Sequence, residues 1–109
     1  MNPAKYDKRI TFQKKDRVQD KEGNWVTDWV DHETVWAKIK HLRGKEIISA
    51  GANSVKITTR IYIRYRKGVT DGMRIKFKDD RYFKIEFLNN LEEQNVEYEI
   101  LVNEVRSNG

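Results

Sequence analysis

Arg60, Tyr62, Arg64 and Arg66 occupy alternate positions of the stretch KITTRIYIRYRKGV and so fall on one side of a strand. A row of guanidinium groups can track phosphates while the phenol between them stacks a base. The same row can also form a subunit contact or face water. Arg74, Lys76 and Lys78 repeat the cationic alternation on the next run. One aromatic is few for a stacking platform, and no RNP-type or other short recognition signature occurs. A small basic β-barrel that binds nucleic acid is therefore kept as the alternative reading.

The other residue types that carry chemistry do not assemble into a constellation. His32 and His41 lack metal-ligand spacing on a shared helical face, and there is no cysteine to join them. GKEIIS resembles a phosphate loop only faintly, without the upstream glycine spacing or a Ser or Thr directly after the lysine. Asp79-Asp80 and Glu92-Glu93 are adjacent carboxylates in polar turn-like segments, where turn formation and solvation account for them. No catalytic, cofactor-binding or metal-binding residue is assigned, and the chain reads as not an enzyme.

The elements that position these residues are strands. Ile57, Thr59, Ile61, Ile63 and Tyr65 oppose the arginine row as a core side. Ile10 and Phe12 mark a first strand in RITFQKK, and Gly23-Asn24 a hairpin turn that leads to a strand with Trp25, Thr27 and Trp29 on one face. VWAKIK sends Val35, Ala37 and Ile39 inward and Trp36 outward. Met73, Ile75 and Phe77, then Phe83, Ile85 and Phe87, then Tyr98, Ile100 and Val102 complete the series. Trp25 and Trp29 are assigned to the core and Trp36 to a possible contact.

The fold class that follows is all-β, a small antiparallel barrel of six or seven strands in one domain spanning residues 1–109. One segment abandons the alternation. HLRGKEIISAGANS, in which Gly44 and Gly51 bracket KEIISA, reads as a long loop after the third strand, with room for one or two helical turns.

With 38% hydrophobic and 36% charged residues in 109, the core is small and partner contacts are expected to complete it. The absence of cysteine excludes disulfides and thiolate chemistry, and no signal-like or membrane-spanning run is present, which reads as soluble and intracellular with no membrane contact. The charge of +5 is uneven: residues 56–85 carry 10 basic and 3 acidic side chains, residues 86–109 carry 1 and 6. Such a division can be neutralised within one sheet or between head-to-tail neighbours in a ring.

Taken in order, VWAKI, GKEIISAG, ITTRIYIRYRKGV, MRIKF and YFKIEFLNNL resemble the phage head-tail joining family, nearest the head-closure or stopper proteins of long-tailed bacteriophages. The likeness covers nearly the whole chain and rests on order and spacing, not on any single piece. It implies a homo-oligomeric ring of about twelve copies in the neck of the virion, assembled in the host cytoplasm. A portal-adaptor ring would lie above, a tail-end protein below and packaged double-stranded DNA in the channel. No cofactor is implied.

By position, the channel-closing loop would be His41 to Val55, with Leu42, Arg43, Gly44, Lys45, Glu46, Ile47, Ile48, Ser49, Ala50, Gly51, Ala52, Asn53 and Ser54 between them. Trp36, Arg60, Tyr62, Arg64 and Arg66 would contact a partner, the arginines docking on an acidic neighbour surface such as Glu97 and Glu99.

Overall fold

The computed structural model describes residues 6–50, 53–78 and 80–105. Six strands form it: β1 Lys8–Gln19, β2 Trp25–Ala50, β3 Asn53–Arg64, β4 Arg74–Phe77, β5 Arg81–Asn90 and β6 Glu97–Val105. They close into an antiparallel barrel in the order β1-β2-β3-β6-β5-β4, the circle being completed where Thr11, Phe12 and Gln13 pair with Lys76, Ile75 and Arg74. Among the described residues there is no α-helix, only a 3-10 turn at Leu91–Glu93.

The alternation read from the sequence is the reason for closure. Ile10, Phe12, Val35, Ala37, Ile61, Ile63, Ile75, Phe83, Ile85, Ile100 and Val102 all point inward and are buried. Each comes from a strand with a polar opposite face, so the six strands can share one interior only by curling until first and last meet.

β2 is the organising element. The two strands expected around Trp25 and Val35 are one continuous strand, and it, not the arginine-rich strand, is the longest. Laid straight, 26 residues would span roughly 85 Å, yet the longest dimension of the molecule is 48 Å. The strand therefore bends, and it does so at two interruptions of the ladder. At the first, Phe12 pairs with Glu33 and Gln13 with Asp31, which leaves His32 unpaired, its ring nitrogen Nε2 3.1 Å from the Gly68 carbonyl oxygen. At the second, His41 pairs with Thr59 and Glu46 with Ile57, so that Leu42 to Lys45 bulge opposite Thr58.

That second interruption corrects the expectation of a loop or short helix. Beyond the bulge, Glu46 to Ala50 pair in register with Ile57 to Asn53, so the segment is a two-stranded arm, while Gly51 and Ala52 lie outside the described residues. Pairing satisfies the backbone of this segment strand against strand without any core beneath it. β3 also ends at Arg64, which places Arg66 just past the strand. Asp79, assigned to a turn, lies outside the described residues; its neighbour Asp80 adopts φ 54° before β5.

Gly44 makes the bulge possible with φ 87°. Because a Cβ there would meet nothing within 4 Å, Gly44→Ala is expected to cost about 1 kcal/mol through backbone conformation alone. Urea denaturation of the two chains checks this; equal midpoints would mean that the bulge relaxes freely into another geometry.

The tryptophans divide differently from the expectation. Trp25 is 60% exposed and Trp29 half-buried, so neither is a core residue, and Trp36 is 54% exposed. Trp25 and Trp29 sit where β1 and β2 continue as a two-stranded ribbon past the last β1–β4 pair, Gln13 with Arg74, and so past the interior.

Candidate functional site

The residues singled out in the sequence come together on the outer surface of β2, β3 and β6. Cross-strand register sets the rows: Lys38, Tyr62 and Glu99 stand side by side, and Arg64 stands beside Glu97. Arg60 reaches the Glu99 carboxylate at 3.2 Å and Glu46, at the base of the arm, at 2.6 Å. The Tyr62 hydroxyl donates to the same Glu99 oxygen at 2.8 Å, and the Lys38 ammonium lies 4.5 Å from the Tyr62 ring centre. Arg66 pairs with Glu33 at 2.5 Å.

This network balances part of the uneven charge within the chain. Arg60 from the basic middle meets Glu99 from the acidic end, and Arg81 meets Glu104 through two hydrogen bonds of 3.0 and 2.7 Å. The hydrogen bond with Glu46 holds Arg60 above its ordinary pKa against the opposing effect of burial, with Glu46 and Glu99 adding their charges. Burial, reinforced by Glu99, raises the Tyr62 phenol. The hydrogen bonds from Arg81 lower the Glu104 carboxyl. Arg60, Arg66 and Tyr62 are thus engaged inside the chain, which leaves them poorly disposed toward phosphates or bases.

Trp36, Arg64 and Arg66 meet at a concavity of about 540 Å³, together with Tyr6, Asp7, Val35 and Ile63. Its floor is apolar, because Val35 and Ile63 are core residues, and its rim is cationic and aromatic. Tyr6, not foreseen from the sequence, closes one side: it is buried, the Arg64 guanidinium lies 5.4 Å from its ring centre, and its hydroxyl donates to Glu97. Its only sequence signal is an isolated aromatic ahead of the first strand.

Burial, then the hydrogen bond to Glu97 and that carboxylate's charge, push the Tyr6 phenol up to about 12 from 10.0. Folding therefore favours the neutral phenol, and this contribution is complete below pH 10 and disappears as pH rises through 12. The melting temperature is expected to fall across that window, and to fall less steeply in Tyr6→Phe, which has no proton to lose there. Thermal melts at stepped alkaline pH check it; identical slopes would show that Tyr6 does not titrate in the fold.

The arm supplies the other predicted residues. Gly44, Glu46, Ile47, Asn53 and Ser54 are exposed, Ile47 at 62%, while Leu42, Ile48 and Val55 are half-buried. Ile57, at the root of the arm, is fully buried. Glu46 was foreseen as part of this segment, but its ion pair with Arg60, which ties the arm to the barrel face, was not. Among the described residues no cluster of three or more His, Asp or Glu side chains is placed to hold a metal ion.

The described residues thus form a closed six-stranded antiparallel barrel that carries a two-stranded arm. The family comparison gives the class directly: the chain belongs to the phage head completion protein family, whose pattern it matches over residues 1–105. It is 26% identical to head completion protein gp7 of Enterobacteria phage HK97 over 82 residues, which span 75% of this chain and 73% of that protein. The fold is shared with the solution structure of protein SF1141 from Shigella flexneri 2a, at TM-score 0.63 and 28% identity over 95% of this chain and 96% of that one. It is shared also with a chain of the virion of a native gene transfer agent particle, at TM-score 0.60 and 17% identity, covering 91% and 94%. Family membership gives the protein a place among virion components and a role in phage head completion.

Proposed function

We propose that this chain is the head-closure, or stopper, subunit of the phage neck: a ring of about twelve copies that extends the portal channel, retains packaged DNA and offers the surface to which a tail attaches. The portal-adaptor ring lies above it and the tail-end protein below. The observation that carries this reading is the β2–β3 arm, a paired segment that leaves the barrel and exposes Ile47 at 62% with no core of its own to serve. An arm of that kind gains its packing from other molecules. Arg43, Gly44, Glu46, Ile47, Asn53 and Ser54 are the exposed positions that would meet copies of themselves near the axis.

Trp36 and Arg64 are the partner-facing residues of the barrel itself. Both are exposed, both rim the apolar-floored concavity, and Arg64 forms no ion pair among the described residues, in contrast to Arg60 and Arg66. The nucleic-acid alternative loses its main support because the arginine row is largely neutralised by carboxylates of the same chain.

The test is to add the purified protein to DNA-filled, tailless heads that carry the portal assembly and to score cosedimentation and DNA retention together. Binding at the portal vertex with DNA retained supports the stopper. Failure to bind, together with steeply salt-dependent binding to free DNA, would overturn it in favour of the nucleic-acid reading.

A further inference from the structure

All three tryptophans lie on one face of the β1–β2 ribbon, and each is stacked by a cation of β1. Arg9 lies 4.7 Å from the Trp36 ring centre, Lys15 5.2 Å from Trp29 and Arg17 5.6 Å from Trp25. Register produces the ladder: Arg9 pairs with Trp36, Lys15 with Trp29, and Arg17 sits diagonally from Trp25, whose direct partner is Gln19. In the rows between them that share this face, the one carboxylate, Asp31, accepts a hydrogen bond of 2.8 Å from Gln13, while Glu33, Asp16 and Asp28 lie in the alternate rows.

The ladder is anchored at its foot. Arg74 is buried, lies 4.7 Å from the Trp29 ring centre and 4.1 Å from that of Tyr82, and donates from Nε to Gln13 at 2.7 Å. Trp29 is thereby held between Lys15 and Arg74, while Trp25 further out is 60% exposed. Pre-positioned indoles and guanidinium groups on a rigid ribbon are the residue types that concentrate binding energy at protein interfaces.

A surface with the opposite character lies across the barrel. In the closed strand order, the β5–β6 junction is three strands round from the β1–β2 junction. β6 and β2 run in the same direction, both being antiparallel to β3, so the Glu97 end of β6 and the Trp25 end of β2 point toward the same end of the barrel. The β5–β6 turn exposes Glu92, Glu93 and Val96, and neither glutamate forms an ion pair among the described residues. The turn is set by Asn90 and Asn95, joined side chain to side chain at 2.7 Å, and by the Tyr65 amide on the Val96 carbonyl at 2.9 Å.

We infer that the cation–tryptophan face of the ribbon receives the Glu92–Glu93 turn of a second copy of this chain, head to tail, with Val96 packing against an exposed indole. This deepens the stopper reading and rests on its ring. Ribbon against ribbon would bring cations together, which disfavours a two-fold contact, whereas cationic ribbon to acidic turn is complementary. The two surfaces lie on opposite sides of the barrel, the acidic turn at the end toward which the ribbon runs, and surfaces on opposite sides allow each copy to contact two neighbours, as a ring requires.

The experiment uses full-length chains on DNA-filled, tailless heads carrying the portal assembly, counting copies bound per head. Glu92→Lys/Glu93→Lys and, separately, Lys15→Glu/Arg17→Glu are each expected to reduce occupancy by about tenfold or more, and the chain carrying all four changes to recover to within about twofold of the parent. Melting temperatures near the parent value show that each variant is folded. Unaltered occupancy of the Glu92→Lys/Glu93→Lys chain, or no recovery in the fourfold variant, would overturn the contact while parent binding upholds the ring. If ribbon reversal instead spares the ring and abolishes tail attachment or binding to free DNA, the face belongs to another protein or to nucleic acid and the inference falls. If the parent chain itself does not bind, the stopper reading fails and the contact with it.

Discussion

Replacing Ile47 to Lys56 by Asn-Gly is expected to leave the barrel folded and bound to heads but to release the packaged DNA. The shortened hairpin closes on the Glu46–Ile57 pair, and Asn-Gly supplies the two-residue turn that matches strand twist. The cut keeps what the barrel needs from the arm: the buried Ile57, the Glu46–Arg60 ion pair and the Gly44 bulge all remain. What it removes is a paired segment with Ile47 and Ser54 exposed and Ile48 and Val55 only half-buried, together with the Lys56 carbonyl that accepts from the Asn103 side chain. The melting temperature should therefore stay within a few degrees of the parent, since exposed residues away from packed contacts contribute little. Nuclease sensitivity of the packaged genome and infectivity after tail addition are the readouts. DNA retained at the parent level, with the short-armed chain bound at parent occupancy, would remove the arm from channel closure and leave the barrel alone to do it.

Phe83→Ala is expected to be the most damaging single change to the fold. Phe83 is fully buried, pairs with Ile75 across β4 and β5, and lies at the strand pair that joins β1 to complete the circle. Truncating a fully buried phenylalanine costs about 3–5 kcal/mol, from lost transfer energy and from a cavity that a closed barrel cannot collapse. Against a total of about 5–15 kcal/mol for a domain of this size, that is at least about a fifth of the stability and, at the low end, all of it. Urea unfolding monitored by tryptophan fluorescence measures it. A loss below about 1 kcal/mol would mean that the barrel repacks around the void. β4 is the strand with most at stake, because it spans only Arg74–Phe77 yet supplies the link between β1 and β5.

The barrel was legible in the chain because burial leaves a two-residue signature. Ile57, Thr59, Ile61 and Ile63 are buried as their alternation requires, and so are Ile75, Phe77, Phe83, Ile85, Ile100 and Val102. Wherever one face of a strand must be dry and the other wet, the pattern is written into residue type, and no tertiary information is needed to read it. Composition likewise indicated a small core, and the order of the quoted segments indicated the family.

Tertiary structure alone decided the rest, and the reason is the same at each place. The sequence from Glu46 to Ala50 does not alternate between apolar and polar residues, and its strand character comes from pairing with Asn53 to Ile57. Trp25 and Trp29 carry residue types that favour burial, but the register places them on a ribbon beyond the interior, under Lys15, Arg17 and Arg74. The partners of Arg60 come from positions 46 and 99, far apart in the chain and joined only by strand order. Local alternation is a property of neighbouring residues; closure, bulges and long-range pairing depend on which strands lie side by side, and the folded barrel fixes that.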